Sequence, residues 1–175
     1  MPRARVWRVF ALVALVMYAA DLVTKIVALD RLDGRPDVRV VGDLLQLHLT
    51  RNPGAAFSTG TQFTVLLSCI AIAAVIVVLW LSRRLGSLAW AVALGFLLAG
   101  VAGNLTDRMF REPGPFRGHV IDFLMLPNWP VFNVADICIN VAAGLILIQA
   151  FRGIRMDGTH TEGRRRDEAS GESGE

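Results

Sequence analysis

Hydrophobic and polar positions in this chain are sorted into long blocks. Four apolar runs, at about residues 7–29, 63–81, 88–106 and 132–151, are separated by polar stretches. Each is close to the roughly 20 residues that an α-helix needs to cross a bilayer, so the pattern predicts four transmembrane helices. Between the first two, Val38-Arg-Val-Val and residues 44–50 alternate partly with period two around Gly42-Asp43. That predicts two short strands, a small extramembrane hairpin or sheet. The expected fold class is therefore an all-α membrane protein with four transmembrane helices and a small β-hairpin or sheet in the first outer loop. Helix 2 carries no ionisable residue and reads as packing. The later half of helix 3 is small-sided, with Gly95, Ala99, Gly100, Ala102 and Gly103, which permits close helix contact in a membrane. Pro113-Gly-Pro115 and Pro127-Asn-Trp-Pro130 break the chain between helices 3 and 4. Residues 1–156 read as one domain, and the polar residues 157–175 as a disordered cytoplasmic tail.

Composition supports the membrane reading. The chain of 175 residues is 54% hydrophobic and 19% charged, with a mean hydropathy of +0.49; soluble domains carry about 25% charged residues. The net charge of +3 comes from arginines at the chain ends and in one short loop, not from a basic face with interleaved aromatics, so no nucleic-acid partner is expected. The first apolar run follows Arg3, Arg5 and Arg8 but exceeds the roughly 7–15 residues of a cleavable signal core. It also holds Asp21 and Lys25, and reads as a retained helix. Arg3, Arg5, Arg8, Arg83, Arg84, Arg152 and Arg155 all fall on one side of a four-crossing topology. By the positive-inside tendency that side, with both termini, is cytoplasmic. Asp21, Asn104, Asp107, Arg108, Asn133 and Asp136 then share the outer ends of their helices. Cys69 and Cys138 lie within helices and read as packing residues. His48, His119 and His160 are scattered over loops and tail, and no Cys/His spacing suggests a metal site.

Carboxylates beside membrane helices are costly and are by default a functional-site hypothesis. Asp21 and Lys25 share a helix face and read as an interfacial pair, with Lys25 (one lysine against seventeen arginines) snorkelling towards water. On helix 3, Asn104, Asp107 and Arg108 form one polar face, with Asp107 bridging to Arg108. On helix 4, Asn133, Asp136 and Asn140 repeat the spacing, Asn140 reading as an interhelical contact outside the site. Asp122 sits in an apolar setting, Val120-Ile-Asp-Phe-Leu, after an interfacial segment. An Asp122–Asp136 pair could share one proton and activate water for peptide hydrolysis. From the residues alone, ion conduction and structural pairing stay equally open. A small transporter or channel subunit using the Asp residues as an ion or proton relay is the main alternative, and a non-enzymatic membrane adaptor another. Asn52-Pro-Gly54 is, by itself, a good turn.

Five segments in order carry a resemblance: Asp21-x-x-Thr24-Lys25, Asn52-x-Gly54-Ala55-Ala56-Phe57, Gly103-Asn104-x-x-Asp107-Arg108, Val120-x-Asp122-Phe123 and Phe132-Asn133-x-Ala135-Asp136. Together they resemble lipoprotein signal peptidase, or signal peptidase II, over about residues 7–152. The resemblance implies an aspartic endopeptidase of the bacterial inner membrane that removes the signal peptide from prolipoproteins, before a diacylglyceryl-modified cysteine. Asp122 and Asp136 are implied as the catalytic pair. Asn52, Asn104, Arg108 and Asn133 would line the site, and Asp21 and Lys25 would support it. The outer hairpin would form a cradle over the substrate. No cofactor or metal is implied; the expected partners are the lipid-modified prolipoprotein and membrane lipid, with the enzyme a monomer. The segment between Arg108 and Asp122 is longer than the family pattern, so its lid is expected to differ.

Overall fold

The computed structural model describes residues 2–54 and 60–160, without the side chains of 60–62. Four helices, α1 (Arg3–Leu32), α2 (Gly60–Ser82), α3 (Leu88–Phe110) and α4 (Val134–Phe151), are long and apolar enough to cross a membrane. α1, α2 and α3 outrun their apolar blocks, whereas α4 begins two residues inside its block, after the Asn133 cap. The reason is that hydropathy marks where lipid begins, whereas a helix ends where a turn residue stops it. α1 contains no glycine or proline and continues to Leu32, two residues before Gly34. Leu12, Leu15, Ile26, Ile70, Ile76 and Leu147 are large apolar side chains left on the outside, as a lipid-facing surface requires.

α3 is the hub. It packs along α1 and α4 and carries α2 on its remaining side; among the described residues α2 makes no comparable contact with α1 or α4. Its small residues explain the closeness. A Cβ on Gly100 would stand 2.5 Å from the Ala135 carbonyl oxygen of α4, and one on Gly103 would collide with the Asp21 carboxylate of α1. At one end of the bundle Val6, Phe10, Val78, Leu85, Trp90 and Leu94 form an apolar core. There the chain beyond α4 folds back: Gly86 and Ser87 donate to the Met156 carbonyl, and Trp90 Nε1 to that of Ile154. This turn continues to His160, whose backbone bridges Ile154. Residues 157–160 of the expected tail belong to this turn, and residues 161–175 lie outside the described residues.

At the opposite end lies a three-stranded antiparallel sheet, ordered β1 (Val38–Val41), β2 (Leu45–Asn52), β3 (Val120–Met125). The first two strands are the expected hairpin. The third is an addition to the expected hairpin: Asp122, expected just after a re-entrant or interfacial segment, lies within a strand. The run Val120-Ile-Asp-Phe lacks the alternation of a half-exposed strand because all four residues are buried, and such short apolar runs cannot be assigned by periodicity. Phe123 packs with Ala28 and Leu32 of α1, which fixes the sheet to the bundle.

The candidate active site

Asp122 pairs across the ladder with Thr50, which puts it diagonal to Asn52 at the end of β2 and within side-chain reach. Asn52 Nδ2 donates to Asp122 Oδ2 at 2.9 Å, and Asn133 Nδ2 donates to Oδ1 at 2.6 Å. The residue is only 2% exposed. Burial is the main reason that its pKa rises from the ordinary 3.8 to about 6; the Asn52 hydrogen bond opposes the rise and the Asp136 charge adds to it.

Asp136 occupies the first turn of α4, in a reciprocal cap. Its backbone N–H donates to Asn133 Oδ1 at 2.9 Å, and its Oδ2 accepts from the Asn133 backbone at 3.1 Å. The cap gives two backbone N–H groups at the helix start a partner. Its other oxygen accepts from Asn104 Nδ2 of α3 at 2.9 Å. Asn104 Oδ1 in turn accepts from Lys25 Nζ at 3.0 Å and from Asn133 Nδ2 at 3.1 Å. The two carboxylates are thus held by three asparagines, and one amide separates Asp136 from a buried cation.

Lys25 does not snorkel. It is fully buried, with Nζ 2.8 Å from both Asp21 and Asp107. A buried charge persists only when paired and hydrogen-bonded, and here α1 and α3 supply both partners. Asp21 Oδ1 also accepts from the Ala135 backbone at 2.8 Å, tying α1 to the start of α4. Asp107 does not bridge to Arg108: its partners are Lys25, Arg111 and the Ile121 backbone N–H. Arg108 Nη1 lies 3.4 Å from the Asn104 carbonyl, while its Nε is buried without a partner among the described residues. Its Nη2 faces Gly54, being 3.7 Å from where a Cβ would stand there. Gly54 has a φ of +92° and donates to Asn52 Oδ1 at 2.8 Å. The Asn52-Pro-Gly turn therefore orients the Asn52 amide towards Asp122; Ala55, Ala56 and Phe57 lie outside the described residues. The long segment after α3 turns back on itself, with Gly118 donating to the Arg108 carbonyl at 3.1 Å and Phe116 accepting from Ser68 Oγ of α2 at 2.8 Å.

Asp122, Asp136 and Asn52 face a cavity of about 470 Å³, rimmed by Trp129, Pro130 and Phe132. Among the described residues neither Asp122 nor Asp136 is in an ion pair. Two carboxyl groups held by amides beside an open cavity, one with its pKa raised by burial, have the chemistry of an acid–base dyad.

A family model described as Signal peptidase (SPase) II matches residues 13–152. The chain belongs to the signal peptidase II family. Its relatives include proteins named lipoprotein signal peptidase. That of Leifsonia xyli subsp. xyli is 46% identical over 166 residues, 94% of this chain and 75% of the relative. That of Mycobacterium tuberculosis is 46% identical over 158 residues, 90% of this chain and 77% of the relative. A bacterial membrane enzyme solved by the in meso method at 1.9 Å resolution is 26% identical, with a TM-score of 0.72 over 81% of this chain and 91% of that one. As a signal peptidase II, the chain is a peptidase with a multi-pass membrane fold, and the transporter reading has no support.

Two features of this signal peptidase II site are absent from the sequence reading. α2 is more than packing: Thr64 Oγ1 donates to the Pro53 carbonyl, and Ser68 anchors Phe116. Two hydroxyls within the otherwise apolar block 63–81 were the available signal. Asn140 contacts no other helix through its side-chain hydrogen bond, which goes to the Asp136 carbonyl of its own helix at 2.9 Å; it lines the cavity instead.

Proposed function

We propose that this protein is the aspartic endopeptidase that removes the signal peptide from prolipoproteins, cleaving before the diacylglyceryl-modified cysteine. The observation that carries the mechanism is the pair Asp122 and Asp136 facing one cavity from a strand and a helix start. The environments assign the roles. Asp136 sits in the first turn of α4 at the cavity and accepts from Asn104, which places it to act as the base. Asp122 is buried and keeps its proton up to about pH 6. Asp136 takes a proton from water as the water oxygen bonds to the scissile carbonyl carbon, and Asp122 gives its proton to the carbonyl oxygen. In the tetrahedral species Asp136 passes its proton to the amide nitrogen, the C–N bond breaks, and Asp122 regains a proton from the hydroxyl as the carbonyl reforms. Asn52 and Asn133 orient Asp122, Asn104 orients Asp136, and Arg108, beside Gly54, contacts the substrate backbone. Asp21 and Lys25 act as positioning residues.

In this reading the enzyme is a monomer in the bacterial inner membrane. Both termini are cytoplasmic, the site opens near the outer face beneath the sheet, and residues 1–156 are the peptidase domain ahead of a cytoplasmic tail. A substrate anchored by its diacylglyceryl group meets the site without leaving the bilayer. The test uses purified protein in lipid vesicles with a lipid-modified prolipoprotein. Asp122→Asn and Asp136→Asn each abolish cleavage while leaving the protein folded, and a metal chelator leaves wild-type activity unchanged. Full activity in either variant would overturn the dyad.

A further inference from the structure

Asn140 lies one turn beyond Asp136 on the same face of α4, about 6 Å further into the membrane span. It is exposed, flanked by the exposed apolar residues Ile137 and Val141, and all three line the cavity. A carboxamide on a lipid-facing surface is unfavourable unless it finds a partner. Asn140 finds half of one. One Nδ2 hydrogen goes to the Asp136 carbonyl, while Oδ1 accepts from none of the described residues. One donor and one acceptor are left facing the cavity. Below it the space stays open, since a Cβ on Gly144, a further turn along, would meet nothing within 4 Å.

We propose that Asn140 is a substrate-binding residue, whose carboxamide hydrogen-bonds the backbone of the signal-peptide segment just before the scissile bond. The inference rests on the peptidase reading above and adds to it the track along which the peptide runs. The free donor and acceptor match an extended peptide backbone, in which each residue offers one N–H and one C=O on the same side. The ester groups of the diacylglyceryl anchor offer acceptors only and would leave Asn140 Oδ1 bare. The placement also fits the polypeptide, whose membrane-embedded part must descend from the dyad into the bilayer along α4.

The experiment measures kcat/KM in vesicles with a lipid-modified prolipoprotein peptide and three depsipeptide versions of it. In these, an ester replaces the amide at each of the three residues before the cysteine in turn, which removes a single N–H. Asn140→Leu suits the lipid-facing position and lowers kcat/KM about tenfold, the size of one lost hydrogen bond. One depsipeptide loses a similar factor with wild-type enzyme and loses nothing further with Asn140→Leu. The proposal is overturned if Asn140→Leu matches wild type, or if its loss adds fully to that of every depsipeptide. It is also overturned if the Asn140 effect disappears when the anchor's esters are replaced by ethers, because the partner is then the lipid. In each of these cases inactive Asp122→Asn and Asp136→Asn leave the peptidase reading standing.

Discussion

Asp122 and Asp136 differ in surroundings more than in chemistry, and that difference sets the pH dependence. Asp122 holds its proton in the folded protein up to about 6, whereas an aspartate in an unfolded chain loses it near 3.9. The dyad works with one proton, so kcat/KM falls as pH rises through about 6. Asn52 donates to the ionised form and holds that midpoint down, so Asn52→Leu moves it upward in a pH–rate profile. The same shift acts on stability. Between the two pKa values the folded state binds more protons, so stability falls as pH rises through that window and is level above it. The loss reaches roughly 2–3 kcal/mol at neutral pH. Asp122→Asn removes this slope, which thermal unfolding in detergent at a series of pH values will show. A shared proton was legible from the Asp122–Asp136 pair and the apolar neighbours of Asp122, but which carboxyl the amides of Asn52 and Asn133 grip was not, because those residues are distant in the chain.

At the scale of elements, the site depends on how closely α3 approaches α1 and α4. Gly103 leaves room for the Asp21 carboxylate, and Gly100 for the Ala135 carbonyl. Gly103→Ala forces the helices apart, costing about 1–3 kcal/mol and moving Asn104 away from Asp136. The expected result is a lower melting temperature together with a reduced kcat. Lys25→Met is more severe, leaving Asp21 buried without a counter-charge and Asp107 with Arg111 alone, a loss of about 3–5 kcal/mol in thermal unfolding. The glycine-rich half of α3 was legible as a packing face. That its glycines also make space for a charge was not, because the partner residue lies on another helix.

For the whole molecule, the site and the arginine-rich turns lie at opposite ends of one bundle. The described residues that follow α1 and α3, and those that precede α4, gather at the sheet end, while the start of α1, the α2–α3 turn and residues 152–160 gather at the other. With both termini cytoplasmic, a membrane-impermeant maleimide labels Arg35→Cys in intact cells and labels Arg84→Cys only after the membrane is opened. Both positions are exposed loop residues. The reverse pattern would invert the proposed orientation and place the site on the cytoplasmic side.

Four apolar blocks of bilayer length determined the helices, and five short segments in order determined the family. Both signals are local, carried by residues close together in the chain. The alternation around Gly42-Asp43 likewise sufficed for the β1–β2 hairpin. Only the tertiary structure made Val120–Met125 the third strand, moved Lys25 from the interface to a buried triad, and gave Asp107 to Lys25 and Arg111 instead of Arg108. It alone turned Asn140 from a supposed helix contact into a cavity wall. In each case the deciding partner lies on another element or in the space between elements. A buried charge or an idle amide takes its meaning from what the fold places beside it.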